Sequence, residues 1–224
     1  MPIKQEHIAD FEEGKTYHVF SRTNNGEALF LDTNNRNHFI AGFKEYIAPF
    51  VRTLAWNLQN SHFHFVIQVK PRQAIIKYLT TLPDKTTRRM YRLYINERTS
   101  AARLISFQWR RFLISYAMHY NRVHSRHGNL FHRVFKRICL KSDMEIRKAV
   151  LYVKGNNCKH DPLRSWRNHN WSSFQLPDRI TIPIHQIELY IGPRKNWGFE
   201  LDAFWEDYFR NGVPEINSFS FAPG

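Results

Sequence analysis

Two spacings of apolar residues run through the chain and divide it into elements. Residues 16–21 (Thr-Tyr-His-Val-Phe-Ser), 51–58 and 62–69 are rich in β-branched and aromatic residues and read as strands. The polar link Gln59-Asn60-Ser61 joins the last two as a hairpin, and Asn24-Asn25-Gly26 marks a turn after the first. Phe39, Ile40, Phe43 and Ile47 recur at helical spacing and predict a helix over residues 35–46. Further helical pattern covers residues 74–80, 85–94 and 104–123, and residues 130–140 alternate as an extended segment. Ser142-Asp143-Met144-Glu145 is a capping box, opening a helix that runs to about Lys154 with Ile146, Val150 and Val153 as its buried stripe. Gly155-Asn156-Asn157 ends that helix or loosens its last turn. Beyond Trp171 the chain becomes proline-spaced, which places a boundary near Phe174 and divides it into residues 1–174 and 175–224. No internal repeat is present.

Charge alters this picture more than composition does. The chain of 224 residues is 42% hydrophobic and 15% aromatic, enough for one core and too much for a disordered state. Its two cysteines, Cys139 and Cys158, make neither a disulfide framework nor a four-cysteine zinc site. With no apolar run of membrane-spanning length and no apolar leader segment, the expectation is a soluble, cytoplasmic and nucleoid-associated protein with no membrane partner. The net charge is +14, and residues 175–224 hold seven acids against four bases, so the preceding part carries +17. Residues 98–142 contain ten Lys or Arg and no acid. A solvated helix face would mix its signs. A one-signed stretch interleaved with Phe107, Trp109, Phe112, Tyr116, Tyr120 and Phe131 suits phosphates and unpaired bases better. For the acidic residues 200–207 the expectation is packing against the core or partial mimicry of nucleic acid.

Two small motifs carry candidate chemistry. His62-Phe63-His64 lies in a strand, so both imidazoles project from one face and could share a metal ion; two hydrogen-bonded histidines are the plainer alternative. Tyr152 and Asn156 are four apart and lie on one face if the last helical turn persists, with Lys148 one turn earlier. A tyrosine in such a helix is ordinarily a core residue.

Together these motifs resemble the HUH-superfamily single-strand DNA transposases, in the REP-associated tyrosine transposase branch. The likeness is carried by Tyr17-His18-Val19-Phe20-Ser21-Arg22-Thr23-Asn24-Asn25 and by the start of a helix at His38-Phe39. Asn60-Ser61-His62-Phe63-His64-Phe65-Val66-Ile67 follows, with Ser61 inserted where that family runs Asn directly into His. Next come Tyr120-Asn121-Arg122, the run from His127 to Lys136, Tyr152-Val153-Lys154-Gly155-Asn156-Asn157 and Trp171-Ser172-Ser173-Phe174. Asn157 replaces the family's usual Pro, and Cys158-Lys159-His160 departs from its usual continuation. The likeness spans about residues 15–174.

The resemblance implies an α+β fold of ferredoxin-like, HUH type: a central antiparallel sheet with packed helices, plus a C-terminal extension. It implies a metal-dependent transposase that cleaves and rejoins single-stranded or hairpin DNA through a 5′-phosphotyrosine. Tyr152 is then the nucleophile, with Tyr116 and Tyr120 as rivals, and His62, His64 and Asn156 hold Mg²⁺ or Mn²⁺. Arg110, Arg111, Arg122, Arg126, Arg133, Lys136 and Lys148 are assigned to DNA, and the chain acts as a monomer or a homodimer. Two alternatives stay open: a non-catalytic regulator binding hairpin DNA on the same fold, and an RNA-binding protein on a ferredoxin-like sheet.

Overall fold

The computed structural model describes residues 8–83, 89–132, 135–160, 166–176 and 179–211. Its centre is a four-stranded, wholly antiparallel sheet built from β1 (Thr16–Arg22), β2 (Val51–Leu58), β3 (His62–Val69) and β4 (Lys136–Leu140), in the order β2-β3-β1-β4. Helix α1 (Thr33–Tyr46) links β1 to β2, and α2 (Arg72–Thr80), α3 (Arg89–Ile95) and α4 (Ala101–Val123) link β3 to β4. This is the split β-α-β arrangement of ferredoxin-like folds. After β4 come α5 (Asp143–Lys154), the short α6 (Asn157–His160), α7 (Ile184–Ile191) and α8 (Trp197–Asn211). The α+β class expected from the sequence is the observed one.

Strand alternation separates two cores. Tyr17 and Val19 of β1, and Phe63, Phe65 and Ile67 of β3, face α1 and α4, where they meet Phe39, Phe43, Trp109, Phe112 and Tyr116. The rings of Phe43 and Phe65 stack with centroids 4.4 Å apart. Four aromatics of the basic segment, Trp109, Phe112, Tyr116 and Tyr120, are therefore core residues. The expectation that they stack on bases is corrected: their spacing is the buried stripe of α4. On the opposite face Val66, Leu54 and Ala55 meet Ala149, Val150 and Val153 of α5. Ile187 and Ile191 of α7, and Trp197, Leu201 and Trp205 of α8, complete that second core.

Local chemistry explains where the helices begin. Asp32 accepts the amide of Asn35 at 2.7 Å to cap α1, and Ser100 accepts that of Arg103 to cap α4. At α5, Ser142 accepts the Glu145 amide as expected, but the Glu145 carboxylate reaches the amide of Lys141, one residue before the cap. β4 is shorter than the alternation over 130–140 suggested: Phe131 makes only an isolated bridge to Thr23, and residues 133 and 134 lie outside the described ones. The expected helix over 85–94 is found as α3 from Arg89 on, its earlier residues also lying outside. No helix among the described residues is long and apolar enough to cross a membrane.

Both sheet edges are occupied. Along β2, the Leu58 amide donates to Trp171 O at 2.9 Å and the Ser173 amide to Trp56 O at 2.8 Å. Along β4, the Ala9 amide donates to Arg137 O at 3.2 Å beside a bridge from Ile8. In the acidic segment, Glu200 pairs with Arg147 of α5 and Asp202 with Arg167 and Trp166, so the packing alternative describes these residues. Asp207 instead accepts from Asn211 on its own helix.

Lys154 ends α5 wholly buried, its ammonium donating to Ser173 O at 3.2 Å and lying 4.3 Å from the Trp197 ring centroid. Burial, reinforced by the Arg194 charge, pulls its pKa down to about 7. An unfolded lysine titrates near ~10.4. Between these values the folded chain holds fewer protons at this position, so this contribution to stability rises with pH. Relative to wild type, a Lys154→Met variant should therefore lose ground as pH rises from 7 to 10. Urea titrations at both pH values measure this, and a difference that stays constant with pH would refute the assignment.

Candidate active site

The second core has a polar centre. The alternation that sends Phe63 and Phe65 toward α1 and α4 turns His62 and His64 to the other face, beneath α5. In the β1 pairing His64 stands opposite Phe20 and His62 opposite Arg22, which leaves His18 as the diagonal neighbour of His64. Nε2 of His18 and Nδ1 of His64 are 2.9 Å apart, one donating to the other. The His62 and His64 rings are 5.1 Å apart.

Helix α5 lies across this face. Tyr152 sets its ring 5.8 Å from that of His64 and 6.0 Å from that of His18, edge-on to both. The helix ends at Lys154 with Gly155 as its C-cap, and the next turn stays tight, the Asn156 amide reaching Val153 O at 3.5 Å. That turn brings Asn156 Oδ1 to 3.4 Å from His62 Nε2. The pairing of Tyr152 with Asn156 holds, through an irregular turn in place of a helical one. Asn156 is 0% exposed, and its amide also serves the Tyr152 hydroxyl as a hydrogen-bond donor.

The donor set is two imidazoles and one amide oxygen. Two donors 3.4 Å apart suit neighbouring positions on one divalent ion, since metal–oxygen distances near ~2.1 Å at right angles give edges of about 3 Å. The Nδ1 of His64 is engaged by His18, as the second nitrogen of a ligating histidine commonly is by a neighbouring group. Among the described residues no group of three or more His, Cys, Asp or Glu is arranged to hold a metal. A site here must be completed by the amide.

Tyr152 is 1% exposed. Burial pushes its phenol above the ordinary tyrosine range, and Tyr208 reinforces this, while a hydrogen bond from Asn156 opposes it. The cover is Trp205 of α8, its ring 5.8 Å from Tyr152 and pressed on Gly155, where a Cβ would stand 2.2 Å from the indole nitrogen. The rival tyrosines are structural: the hydroxyl of Tyr116 donates to Leu29 O at 2.8 Å and that of Tyr120 to Ala28 O at 2.7 Å.

The basic residues fall into three groups. Lys136 stands opposite Phe20, on the same face as His64 and next to Arg22, whose charge together with burial lowers its pKa. Lys148 is half-buried on α5, one turn before Tyr152. Arg110, Arg111 and Arg122 belong to α4, in the layer behind the sheet, so the structure does not bring them to Tyr152. Arg110 and Arg122 are exposed, whereas Arg111 donates to the Tyr91 hydroxyl and to Gln108. Arg126 is forked onto Glu27 with bonds of 2.6 and 2.9 Å and clamps the carbonyls of residues 127–129. Arg133 lies outside the described residues. The sequence reading missed His18, Arg22 and Trp205 as parts of the site. Period-two alternation in β1 was the available signal for the first two; their neighbours across the sheet were not.

Comparison with known proteins bears on the fold. The chain is similar to a REP-associated tyrosine transposase solved bound to a REP hairpin, with a TM-score of 0.52 and 14% identity over 82% of this chain and 90% of that one. At this identity the likeness shows a shared fold. No protein-family model and no curated protein matches the sequence.

Close packing at Gly155 makes its own prediction. Gly155→Ala should cost about 1–3 kcal/mol by overpacking, and shortening Trp205 to Leu should relieve most of that increment. A double-mutant cycle by urea unfolding measures the coupling; strictly additive effects would contradict the contact.

Proposed function

We propose that this protein is a metal-dependent DNA strand transferase of the REP-associated tyrosine transposase type, acting on single-stranded or hairpin DNA through Tyr152. The observation that carries the reading is the convergence of His62, His64, Asn156 and Tyr152, supplied by β3 and by the end of α5, on one face of the sheet. The similarity to a transposase solved with a hairpin supports it at the level of fold.

In this reading Oη of Tyr152 attacks the scissile phosphorus. A phosphorus–oxygen bond to the tyrosine forms, the bond to the 3′ oxygen breaks, and that oxygen leaves as a hydroxyl after taking up a proton. The intermediate conserves the phosphodiester's energy, so an incoming 3′-hydroxyl reverses the step at a new junction without a nucleotide cofactor. A divalent ion held by His62, His64 and Asn156 supplies charge stabilisation at the phosphate. Arg22 and Lys136 line the same face and add fixed positive charge beside it. The phenol is enclosed and its proton tightly held, so reaction requires Trp205 to move aside. That enclosure is also the observation favouring a second reading, a hairpin-DNA-binding regulator without chemistry.

The test uses a hairpin with a single-stranded tail, labelled at its 3′ end, and scores a protein–DNA adduct that survives denaturing electrophoresis. Wild type with Mn²⁺ or Mg²⁺ should form it, and chelator should suppress it. Tyr152→Phe should abolish it, while Tyr120→Phe should leave it. An adduct persisting in Tyr152→Phe would remove the role from that residue. Tight binding with no adduct under either metal would establish the regulator.

A further inference from the structure

At the turned end of the β2–β3 hairpin, on the face away from Tyr152, two arginines share one indole. The guanidinium of Arg36, from the first turns of α1, lies 5.7 Å from the Trp171 ring centroid and 5.6 Å from that of Phe30. The guanidinium of Arg179 lies 5.0 Å from the same Trp171 ring and donates to Asn37 Oδ1 at 2.8 Å. Trp171 is held in place by its backbone, whose carbonyl accepts the Leu58 amide at the edge of β2. Arg36 also donates to the Asp32 carbonyl at 3.2 Å and to Asn60 Oδ1 at 3.5 Å, two residues before His62.

Among the described residues neither Arg36 nor Arg179 forms an ion pair, and Nε of Arg36 is buried without a hydrogen-bond partner. The nearest acid acting on Arg36, Asp32, has a carboxylate oxygen engaged by the α1 cap. Half-buried guanidiniums without carboxylates are costly to hold, and two of like sign on one ring repel. Aromatic stacking fixes their planes while leaving N–H groups for an outside acceptor. Each terminal nitrogen carries two N–H groups, so after one is spent on the protein a second remains to suit a phosphate, which would balance both charges at once.

We infer that Arg36 and Arg179, braced by Trp171, form a phosphodiester clamp that grips the single strand as it passes round the hairpin turn toward His62. The inference rests on the proposed DNA reading and adds a contact on the side of the sheet opposite to the chemistry. The clamp holds backbone and reads no sequence. With two guanidiniums within 6 Å of its ring centroid, Trp171 works as a brace for the arginines.

The experiment measures fluorescence anisotropy of a tailed hairpin and of the same hairpin without its tail, across a salt series, for wild type, Arg36→Gln, Arg179→Gln and Trp171→Leu. Each arginine variant should weaken binding of the tailed hairpin about 5- to 30-fold. Each should also reduce the slope of log affinity against log salt by about 0.7, the value for one single-strand phosphate. Binding of the tail-free hairpin should change less than twofold. Thermal melting controls for folding, and Arg179→Gln, whose side chain is the more peripheral, keeps the test valid if Arg36→Gln unfolds. Unchanged affinity and slope in both arginine variants, with wild type still binding, would overturn the clamp alone. An equal loss on the tail-free hairpin would place the contact on duplex DNA and also overturn it. Failure of wild type to bind either DNA would overturn the DNA reading, and the clamp with it.

Discussion

The antiparallel pairing of β1 with β3 is the constraint on which the site depends. It sets His18 diagonal to His64, Phe20 opposite His64 and Arg22 opposite His62. The same pairing turns Phe63 and Phe65 into the aromatic core beneath α1 and α4. A slip of one residue in β3 would exchange the faces, moving two imidazoles into a phenylalanine-lined core and two phenyl rings beneath Tyr152. The apolar gain on one side of the sheet and the polar centre on the other are therefore one choice of register. Helix α5 depends on that choice, since Val66 and the β2 residues Leu54 and Ala55 are what its apolar stripe packs against.

Much of this was legible in the sequence because it is local. The hairpin at Gln59-Asn60-Ser61, the alternation in β3, the capping box at Ser142 and the length of α5 all follow from neighbours within a few residues. What escaped was set by partners distant in the chain. Trp109, Phe112, Tyr116 and Tyr120 have a spacing that serves either a core stripe or a row of stacking rings, and only the presence of α1 and β3 on that side decides it. Helices α7 and α8 were hidden by the prolines at 183 and 193, which stand just ahead of helical segments and set their starts. Trp197, Leu201 and Trp205 recur every four residues, which is a helical spacing, but nothing local says that they close over Gly155. Of the candidate site, the histidine pair, the tyrosine and the amide were legible; His18 was not, because its importance lies in the strand beside it.

The polar centre is expensive, and the fold offsets that cost in identifiable ways. Lys154 is given a carbonyl and an indole ring, and one ring nitrogen of His18 satisfies one of His64. Asn156 places its amide between His62 and the Tyr152 hydroxyl. The apolar side chains of α7 and α8 supply the burial that carries these polar groups, so the segment beyond Phe174 is part of what makes the centre tolerable. Its acids serve the same end where Glu200 and Asp202 neutralise Arg147 and Arg167 at the rim.

The short segment Trp171–Ser173 has a consequence beyond the site. A bare outer strand presents a ladder of unmatched amides and carbonyls that invites another chain to add itself, the usual beginning of edge-to-edge aggregation. Here Trp171 and Ser173 occupy that ladder on β2, and Ile8 and Ala9 occupy the corresponding one on β4. The strands carrying the imidazoles are the two inner ones, so the sheet is finished on both sides without recruiting a second copy. A chain cut short before Trp171 would lose the cover of α7 and α8 and also expose the β2 ladder, inviting edge-to-edge pairing.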